Sequence, residues 1–119
     1  MALAFTFPGQ GSQAVGMGKD LATAYPEAKA VFDEVDAALG EKLSAVIFEG
    51  PEDALTLTAN AQPALMAVSM ALVRVLEARG LDLAKSASYV AGHSLGEYSA
   101  LCAAGMFSIT DTARLLRIR

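Results

Sequence analysis

The stretch of sequence that decides the fold runs from residue 88 to residue 97 and reads SYVAGHSLGE. Its first half is short and apolar, as a buried strand is, and the segment after it is small and apolar, which suits a helix packed against a sheet. Between the two halves stands the pattern Gly-x-Ser-x-Gly, centred on Ser94. The sequence therefore predicts a strand over 87–91, a sharp turn at the serine and a helix over 95–104.

This pattern is typical of a nucleophile elbow, in which a serine stands on a strained turn between a strand and a helix. Gly92 and Gly96 fit such a turn, because larger side chains two residues before and after the serine would collide. The Ser94 hydroxyl would then lie at a helix N-terminus, where the helix dipole and free N–H groups favour an anion. Ser94 is the candidate nucleophile, and the alternative is a glycine-rich packing turn.

His93 is the only histidine of the chain. A general base must reach the serine oxygen at hydrogen-bond distance and be oriented by a third group. Adjacent residues at a tight turn project their side chains in different directions, so we expect a structural role for His93. The base that would serve Ser94 is expected to lie outside these 119 residues.

The remaining periodicity predicts a sheet covered by helices. Residues 2–7 are predicted as the first strand, which Pro8 and Gly9 end. Pro63 suits a first helical position and Gly80 suits the residue after a helix end. The predicted helices cover residues 26–39, 42–48, 52–57 and 63–79, and a last helix opens at Ser108 with Asp111 as its capping-box partner. This order predicts an α/β fold with a parallel sheet.

The last predicted helix has a buried face made of Ile109, Ala113, Leu116 and Ile118, and it meets no stop residue before Arg119. Two strands are also too few for a parallel sheet that is covered on both faces. We therefore expect the chain to be the front part of a longer protein. The alternative is a small, complete mixed domain with a frayed last helix.

The loop after the first strand, residues 7–13, reads FPGQGSQ. It matches neither phosphate-binding pattern, because Ala14 stands where one needs glycine and Met17 where the other needs lysine. A loop at the carboxyl end of a parallel strand can supply a second donor to an oxyanion hole. An ordinary strand-to-helix turn is an equal alternative.

The predicted last helix carries three arginines, namely Arg114, Arg117 and Arg119. Arginines near a helix C-terminus usually favour solubility and interact favourably with the helix dipole, and we expect this of at least two of them. An arginine that faces a dry pocket would instead bind a carboxylate through two parallel hydrogen bonds. The spacing alone does not select which of the three could do so.

Composition excludes several classes of function. The 119 residues are 54% hydrophobic and 18% charged with a net charge of −4, which indicates one well-cored domain without affinity for nucleic acid or an anionic membrane. The single cysteine, Cys102, excludes a disulfide framework and a multi-thiolate metal site, and the carboxylates show no metal-ligand spacing. No basic residue precedes Lys19, as a secretory signal would require. We expect a soluble, cytoplasmic domain.

Four segments together resemble the malonyl-CoA:acyl carrier protein transacylases of bacterial fatty acid synthesis. They are residues 7–13, 62–65 (QPAL), 92–100 (GHSLGEYSA) and the helix that ends at Arg119, in the order of that family. The resemblance implies an α/β-hydrolase-like parallel sheet with flanking helices, of which residues 1–119 form the incomplete N-terminal part. It also implies that the ferredoxin-like subdomain, the C-terminal part and the general-base histidine of the family are absent from this chain.

The resemblance assigns roles to five residues. Ser94 would take malonyl from coenzyme A as an ester, and the backbone N–H groups of Gln10 and Leu95 would form the oxyanion hole. Arg119 would pair bidentately with the free malonyl carboxylate, and Gln62 would line the site. The malonyl group would pass to the phosphopantetheine thiol of acyl carrier protein in a ping-pong sequence, with no bound cofactor or metal.

We expect the chain by itself to be inactive, because the C-terminal part that would supply the general base is missing. We also expect it to be poorly stable, because its strand edges are exposed. Two alternatives differ from a transacylase. One is a serine hydrolase, a thioesterase or esterase, that shares only the elbow. The other is a non-catalytic fragment that only binds carrier protein, which is disfavoured because the chain and acyl carrier proteins are both acidic.

Overall fold

The computed structural model describes residues 4–81, 89–92 and 94–118. Within these ranges it contains two strands and seven helices. In chain order they are β1 (Ala4–Phe7), α1 (Lys19–Ala24), α2 (Pro26–Leu39), α3 (Leu43–Glu49), α4 (Glu52–Thr56), α5 (Thr58–Ala78), β2 (Tyr89–Gly92), α6 (Leu95–Ala103) and α7 (Ile109–Ile118).

The two strands form a parallel pair, as the sequence predicts. Ala4 lies opposite Tyr89 and Phe7 lies opposite Gly92. The carboxyl ends of both strands therefore meet at one edge, where the loop after β1 and the turn after β2 begin next to each other. A short parallel sheet flanked by helices confirms the α/β class.

Helix α5 lies at the centre of the core, where it packs against α2, α6 and α7. Met66 and Met70 of α5 and Leu116 of α7 are fully buried, and the exposed fraction of Phe32 of α2 is 2%. By length and composition alone α5 could cross a membrane, but 61% of its apolar window is buried inside the fold. Contacts with the core account for most of this apolar surface, as the sequence predicts for a deeply buried helix.

Several predicted helix boundaries are confirmed. Helix α2 covers the predicted residues, and Gly40 ends it in the left-handed conformation at φ 68°. Helices α3, α4 and α6 each differ from prediction by one residue or less at either end. Helix α7 begins after Ser108, whose hydroxyl accepts a hydrogen bond from the Asp111 N–H at 3.0 Å. The helix-forming and capping signals of these segments are local, which is why the sequence reveals them.

The predicted start of α5 at Pro63 is wrong, because the helix begins five residues earlier, at Thr58. Proline has no N–H to donate to the carbonyl of residue 59. It is therefore best tolerated in the first turn of a helix, which is why the sequence predicts a helix start at Pro63. Side-chain hydrogen bonds stabilise the earlier turn instead. The Asn60 amide donates to the carbonyl of Ala54 at 2.9 Å, and the Gln10 amide donates to the Thr58 hydroxyl at 3.1 Å.

Two further features differ from the prediction. Helix α1 was not predicted, and none of its residues is buried, so it has no apolar stripe that the sequence could reveal. The sequence predicts Ile118 on the buried face of α7, and this is wrong, because the side chain is 83% exposed. It follows Leu116 by two positions, which places it on the opposite side of the helix.

Burial of Cys102 gives a test of this packing. The side chain is 3% exposed, and burial raises the pKa of its thiol. Because the thiolate is the reactive species, the folded chain should react with a disulfide reagent on the order of a hundredfold more slowly than the chain in denaturant. Absorbance of the released thiolate measures both rates. As a control, Thr23→Cys in a Cys102→Ala background should react rapidly. In a chain whose circular dichroism shows that it is folded, equal rates for Cys102 with and without denaturant would show that α6 is not packed as described.

Candidate active site

The backbone at Ser94 has φ 57° and ψ −112°. Within the described ranges it is the one non-glycine residue with positive φ. The residue is exposed, β2 ends two positions before it, and α6 begins directly after it. A strained serine between a strand and a helix is the backbone geometry of a nucleophile elbow, so the predicted turn is confirmed.

The two glycines around Ser94 are required by close packing. A Cβ atom on Gly92 would lie 1.9 Å from the carbonyl carbon of Gly96. A Cβ atom on Gly96 would lie 2.2 Å from the carbonyl oxygen of Phe7, at the end of β1. The close approach of Gly96 to Phe7 places the first turn of α6 against the end of β1, where the loop at 8–18 begins. It therefore brings the elbow and this loop to the same edge of the sheet.

The two predicted oxyanion donors both lie at this edge. Leu95 is the first residue of α6, where a helix leaves its N–H groups without partners. Gln10 lies in the turn after β1, and its side-chain amide donates to the Thr58 hydroxyl. No backbone carbonyl of the described residues accepts the N–H of Gln10 or that of Leu95. This edge of the sheet thus carries the N–H of a loop residue and that of the first residue of a helix, and an oxyanion hole made of these two groups stays a prediction.

A cleft opens over the carboxyl ends of the strands. It has a volume of about 460 Å³, and its lining is Thr6, Phe7, Pro8, Ala91 and Gly92. That volume falls within the range of small-molecule sites. The last lining residue precedes Ser94 by two positions, so the cleft adjoins the elbow.

Gln62 is 6% exposed, and its Oε1 atom is buried without a hydrogen-bond partner among the described residues. A buried carbonyl oxygen without a donor is unfavourable by about 1–3 kcal/mol. Gln62 therefore presents an acceptor that a further donor would stabilise. The site predicted from the sequence contains such a donor in Arg119, which lies outside the described residues, as His93 does.

Two of the three candidate arginines have structural partners. The Arg114 side chain is exposed, and its Nε donates to the carbonyl of Ala38 at 3.4 Å. The Arg117 guanidinium donates from Nη1 to Asn60 Oδ1 at 2.9 Å and pairs through Nη2 with the Glu41 carboxylate. A role in solubility and in the helix dipole for at least two of the three arginines stays a prediction, and the structure gives Arg114 and Arg117 partners on α2, α5 and the residue after Gly40.

No sequence pattern marks Asn60, Glu41 or Thr58 as partners of the candidate site residues. Asn60 and Arg117 are separated by 57 positions, and Gln10 and Thr58 by 48, so no local pattern predicts these contacts. In the part of the chain that the structure describes, no group of three or more His, Cys, Asp or Glu side chains could hold a metal ion.

Comparison with known proteins identifies the family. The family model for the acyl transferase domain matches residues 4–119. The chain belongs to this acyl transferase family. The match spans the strand pair, the elbow and the last helix, and it confirms the resemblance on which the predicted site residues were assigned.

Relatives of this chain include malonyl CoA-acyl carrier protein transacylases. It is 51% identical over 117 residues to the malonyl CoA-acyl carrier protein transacylase of Bacillus subtilis, and 48% identical over 116 residues to that of Escherichia coli K12. These matches cover 98% of this chain but only 36% and 37% of those proteins. The chain therefore spans a little over a third of the length of the relatives it matches.

Solved structures give the same correspondence. The acyl-carrier-protein-S-malonyltransferase of Bartonella henselae superposes with a TM-score of 0.98 at 71% identity, over 99% of this chain and 38% of that protein. A malonyl-transacylase in complex with a type II PKS acyl-carrier protein superposes with a TM-score of 0.92 at 45% identity, over 99% of this chain and 37% of that one. The predicted fold class is thereby confirmed as the N-terminal part of the acyltransferase fold.

The contacts of the elbow glycines predict the outcome of glycine-to-alanine substitutions. The test uses a hybrid enzyme in which this chain replaces the equivalent residues of the Bartonella henselae protein. Gly92→Ala and Gly96→Ala should each lower the free energy of unfolding by more than about 4 kcal/mol, because backbone must move to admit the new methyl group.

Gly105→Ala is the matched control. Gly105 has φ +89°, but no atom lies within 4 Å of a Cβ built there, so alanine should cost only about 1–2 kcal/mol of backbone strain. Urea unfolding followed by circular dichroism measures all three variants. Equal losses at the three positions would show that the packing around the elbow is looser than described.

Proposed function

We propose that this chain is the nucleophile-bearing part of a malonyl-CoA:acyl carrier protein transacylase of fatty acid synthesis. The observation that supports it most strongly is the strained backbone of Ser94, with Gly92 and Gly96 packed around it. The proposed substrates, malonyl-CoA and acyl carrier protein, are those named for its relatives. In this proposal residues 1–119 form the N-terminal part of the acyltransferase core, and the ferredoxin-like subdomain and the C-terminal part lie outside them.

In the first half-reaction, the Ser94 oxygen attacks the thioester carbonyl carbon of malonyl-CoA while a base outside this chain takes its proton. The N–H groups of Gln10 and Leu95 stabilise the negative charge that forms on the carbonyl oxygen. The carbon–sulfur bond then breaks, and the coenzyme A thiolate leaves and takes the proton from the base. The product is a malonyl ester on Ser94.

In the second half-reaction, the phosphopantetheine thiol of acyl carrier protein attacks the ester carbonyl after losing its proton to the same base. The ester bond breaks, the Ser94 oxygen regains a proton, and malonyl remains on the carrier as a thioester. Neither half-reaction oxidises or reduces a group, and the proposal includes no bound cofactor and no metal.

Selection of a diacid is assigned to Arg119, through two parallel hydrogen bonds to the free carboxylate of the malonyl group. Gln62 is assigned to the lining of the site, which its buried and unpartnered Oε1 supports. The partners proposed are malonyl-CoA, acyl carrier protein and the C-terminal part of the same protein. The solved complex of a related malonyl-transacylase with an acyl-carrier protein supports the second of these. We assign the activity to the cytoplasm, and no nucleic acid or membrane partner is included.

Acylation of Ser94 is the direct test. The hybrid enzyme mixed with malonyl-CoA should gain the mass of one malonyl group, and Ser94→Ala should abolish this gain. The isolated chain lacks the proposed base, so its labelling should be slower by several orders of magnitude, up to about a millionfold. Adding the remaining segment of the Bartonella henselae protein as a second polypeptide should restore it.

Two outcomes of that experiment contradict the proposal. Labelling of the hybrid Ser94→Ala variant would exclude Ser94 as the nucleophile. Labelling of the isolated chain at the rate of the hybrid would place the base within these residues and return His93 to consideration. Rapid release of free malonate without carrier protein would favour the serine hydrolase instead.

The role of Arg119 gives a second test. In the hybrid enzyme, Arg119→Ala should lower kcat/KM for malonyl-CoA relative to acetyl-CoA on the order of a hundredfold or more, because a desolvated carboxylate loses its charged partner. Arg114→Ala is the matched control on the same helix and should leave the ratio unchanged. An unchanged ratio for Arg119→Ala would remove the assignment of diacid selection to this residue.

A further inference from the structure

The first turn of α5 is connected to two other segments of the proposed site. At its start, the Thr58 hydroxyl accepts a hydrogen bond from the Gln10 amide, in the loop that carries the proposed oxyanion donor. Two residues later in the turn, Asn60 Oδ1 accepts from Arg117 Nη1 of α7. Gln62 completes this turn with its buried Oε1. We call residues 58–62 the polar turn.

Asn60 holds the polar turn through both ends of its amide. The Nδ2 atom donates to the carbonyl of Ala54 at 2.9 Å, and the Oδ1 atom accepts from Arg117 at 2.9 Å. Residues two positions apart on a helix point about 200° apart around its axis. With Asn60 turned to these partners, Gln62 faces the opposite way, into the interior, where it is 6% exposed.

Arg117 is enclosed by its partners. Its side chain is 27% exposed, Nη1 and Nη2 contact Asn60 and Glu41, and Nε is buried without an acceptor among the described residues. A guanidinium that is planar and donates from several fixed directions can fix the angle between two segments, which a lysine cannot. Arg117 precedes Arg119 by two residues in the sequence, and Asn60 precedes Gln62 by two.

We propose that Arg117 is a positioning residue for recognition of the carboxylate-bearing acyl group. By binding Asn60 it holds the polar turn, which carries Gln62, against the last turn of α7, after which Arg119 follows. It does not contact substrate itself. The inference rests on the function proposed above, and it gives a role to an arginine that the sequence spacing alone does not select.

The first experiment replaces the guanidinium with an apolar side chain of similar length, Arg117→Met, in the hybrid enzyme. KM for malonyl-CoA should rise between about tenfold and about a hundredfold, because small displacements of a binding group are costly. The kinetic constants for acetyl-CoA, which has no carboxylate to position, should stay within about twofold. Arg114→Met is the matched control and should change neither substrate. An equal loss with both acyl-CoA substrates would overturn the positioning role.

The second experiment asks whether Arg117 acts through Arg119. In an Arg119→Ala background, Arg117→Met should change malonyl selectivity by less than about twofold, because the arginine assigned to the malonyl carboxylate is already absent. Additive losses in the two backgrounds would overturn the inference. If Arg119→Ala leaves malonyl selectivity unchanged, the proposed function of Arg119 fails. If it lowers that selectivity while Arg117→Met has no effect, only the positioning role fails.

The third experiment uses two variants of Asn60, and it tests the same contact if the hybrid enzyme does not fold with Arg117→Met. Asn60→Ala removes the acceptor of Arg117 and should raise KM for malonyl-CoA in the same way. Asn60→Asp loses the donor to the Ala54 carbonyl, as Asn60→Ala does, but keeps an oxygen that accepts from the same guanidinium, and it should restore part of the malonyl selectivity lost in Asn60→Ala. Equal kinetics for the two Asn60 variants would show that the contact with Arg117 has no part in carboxylate recognition.

Discussion

The contact between Gly96 and the carbonyl of Phe7 places the first turn of α6 directly against the end of β1. Only a residue without a Cβ atom can approach that carbonyl so closely, since an added methyl carbon would lie 2.2 Å from the oxygen. The parallel pairing of the strands sets Phe7 beside Gly92, so the elbow and the loop after β1 leave the sheet together. Every residue of the proposed oxyanion hole depends on this arrangement.

The strain at Ser94 is supported by its surroundings. A non-glycine residue in such a conformation is unfavourable by about 1–3 kcal/mol, so neighbouring contacts must hold it in place. Leu95, the next residue, is fully buried, and Ala100 and Cys102 further along α6 are buried as well. Burial of the Leu95 side chain fixes the direction of its backbone N–H, as its proposed role in the oxyanion hole requires.

The sequence revealed the features that local contacts determine. The elbow, the amphipathic stripe and Gly40 end of α2, and the Ser108 cap of α7 each involve residues within a few positions of one another. The structure differs where distant residues decide. The start of α5 depends on hydrogen bonds from Gln10 and to Ala54, and Pro63 gave a misleading local signal. Likewise, no periodicity could pair Arg117 with Asn60, because 57 positions separate them.

Arg117, Asn60 and Glu41 form a cluster whose energetics favour a geometric role over a stabilising one. Glu41 is 53% exposed, and ion pairs at such sites contribute only about 0–1 kcal/mol. The Nε atom of Arg117 is buried without an acceptor among the residues described, which is unfavourable. Apolar side chains of similar volume could stabilise the same contact equally well. What they could not do is fix the orientation of Asn60, and with it the direction in which Gln62 faces, because apolar contacts are not directional. The cluster therefore contributes more to the shape of the proposed site than to the stability of the chain.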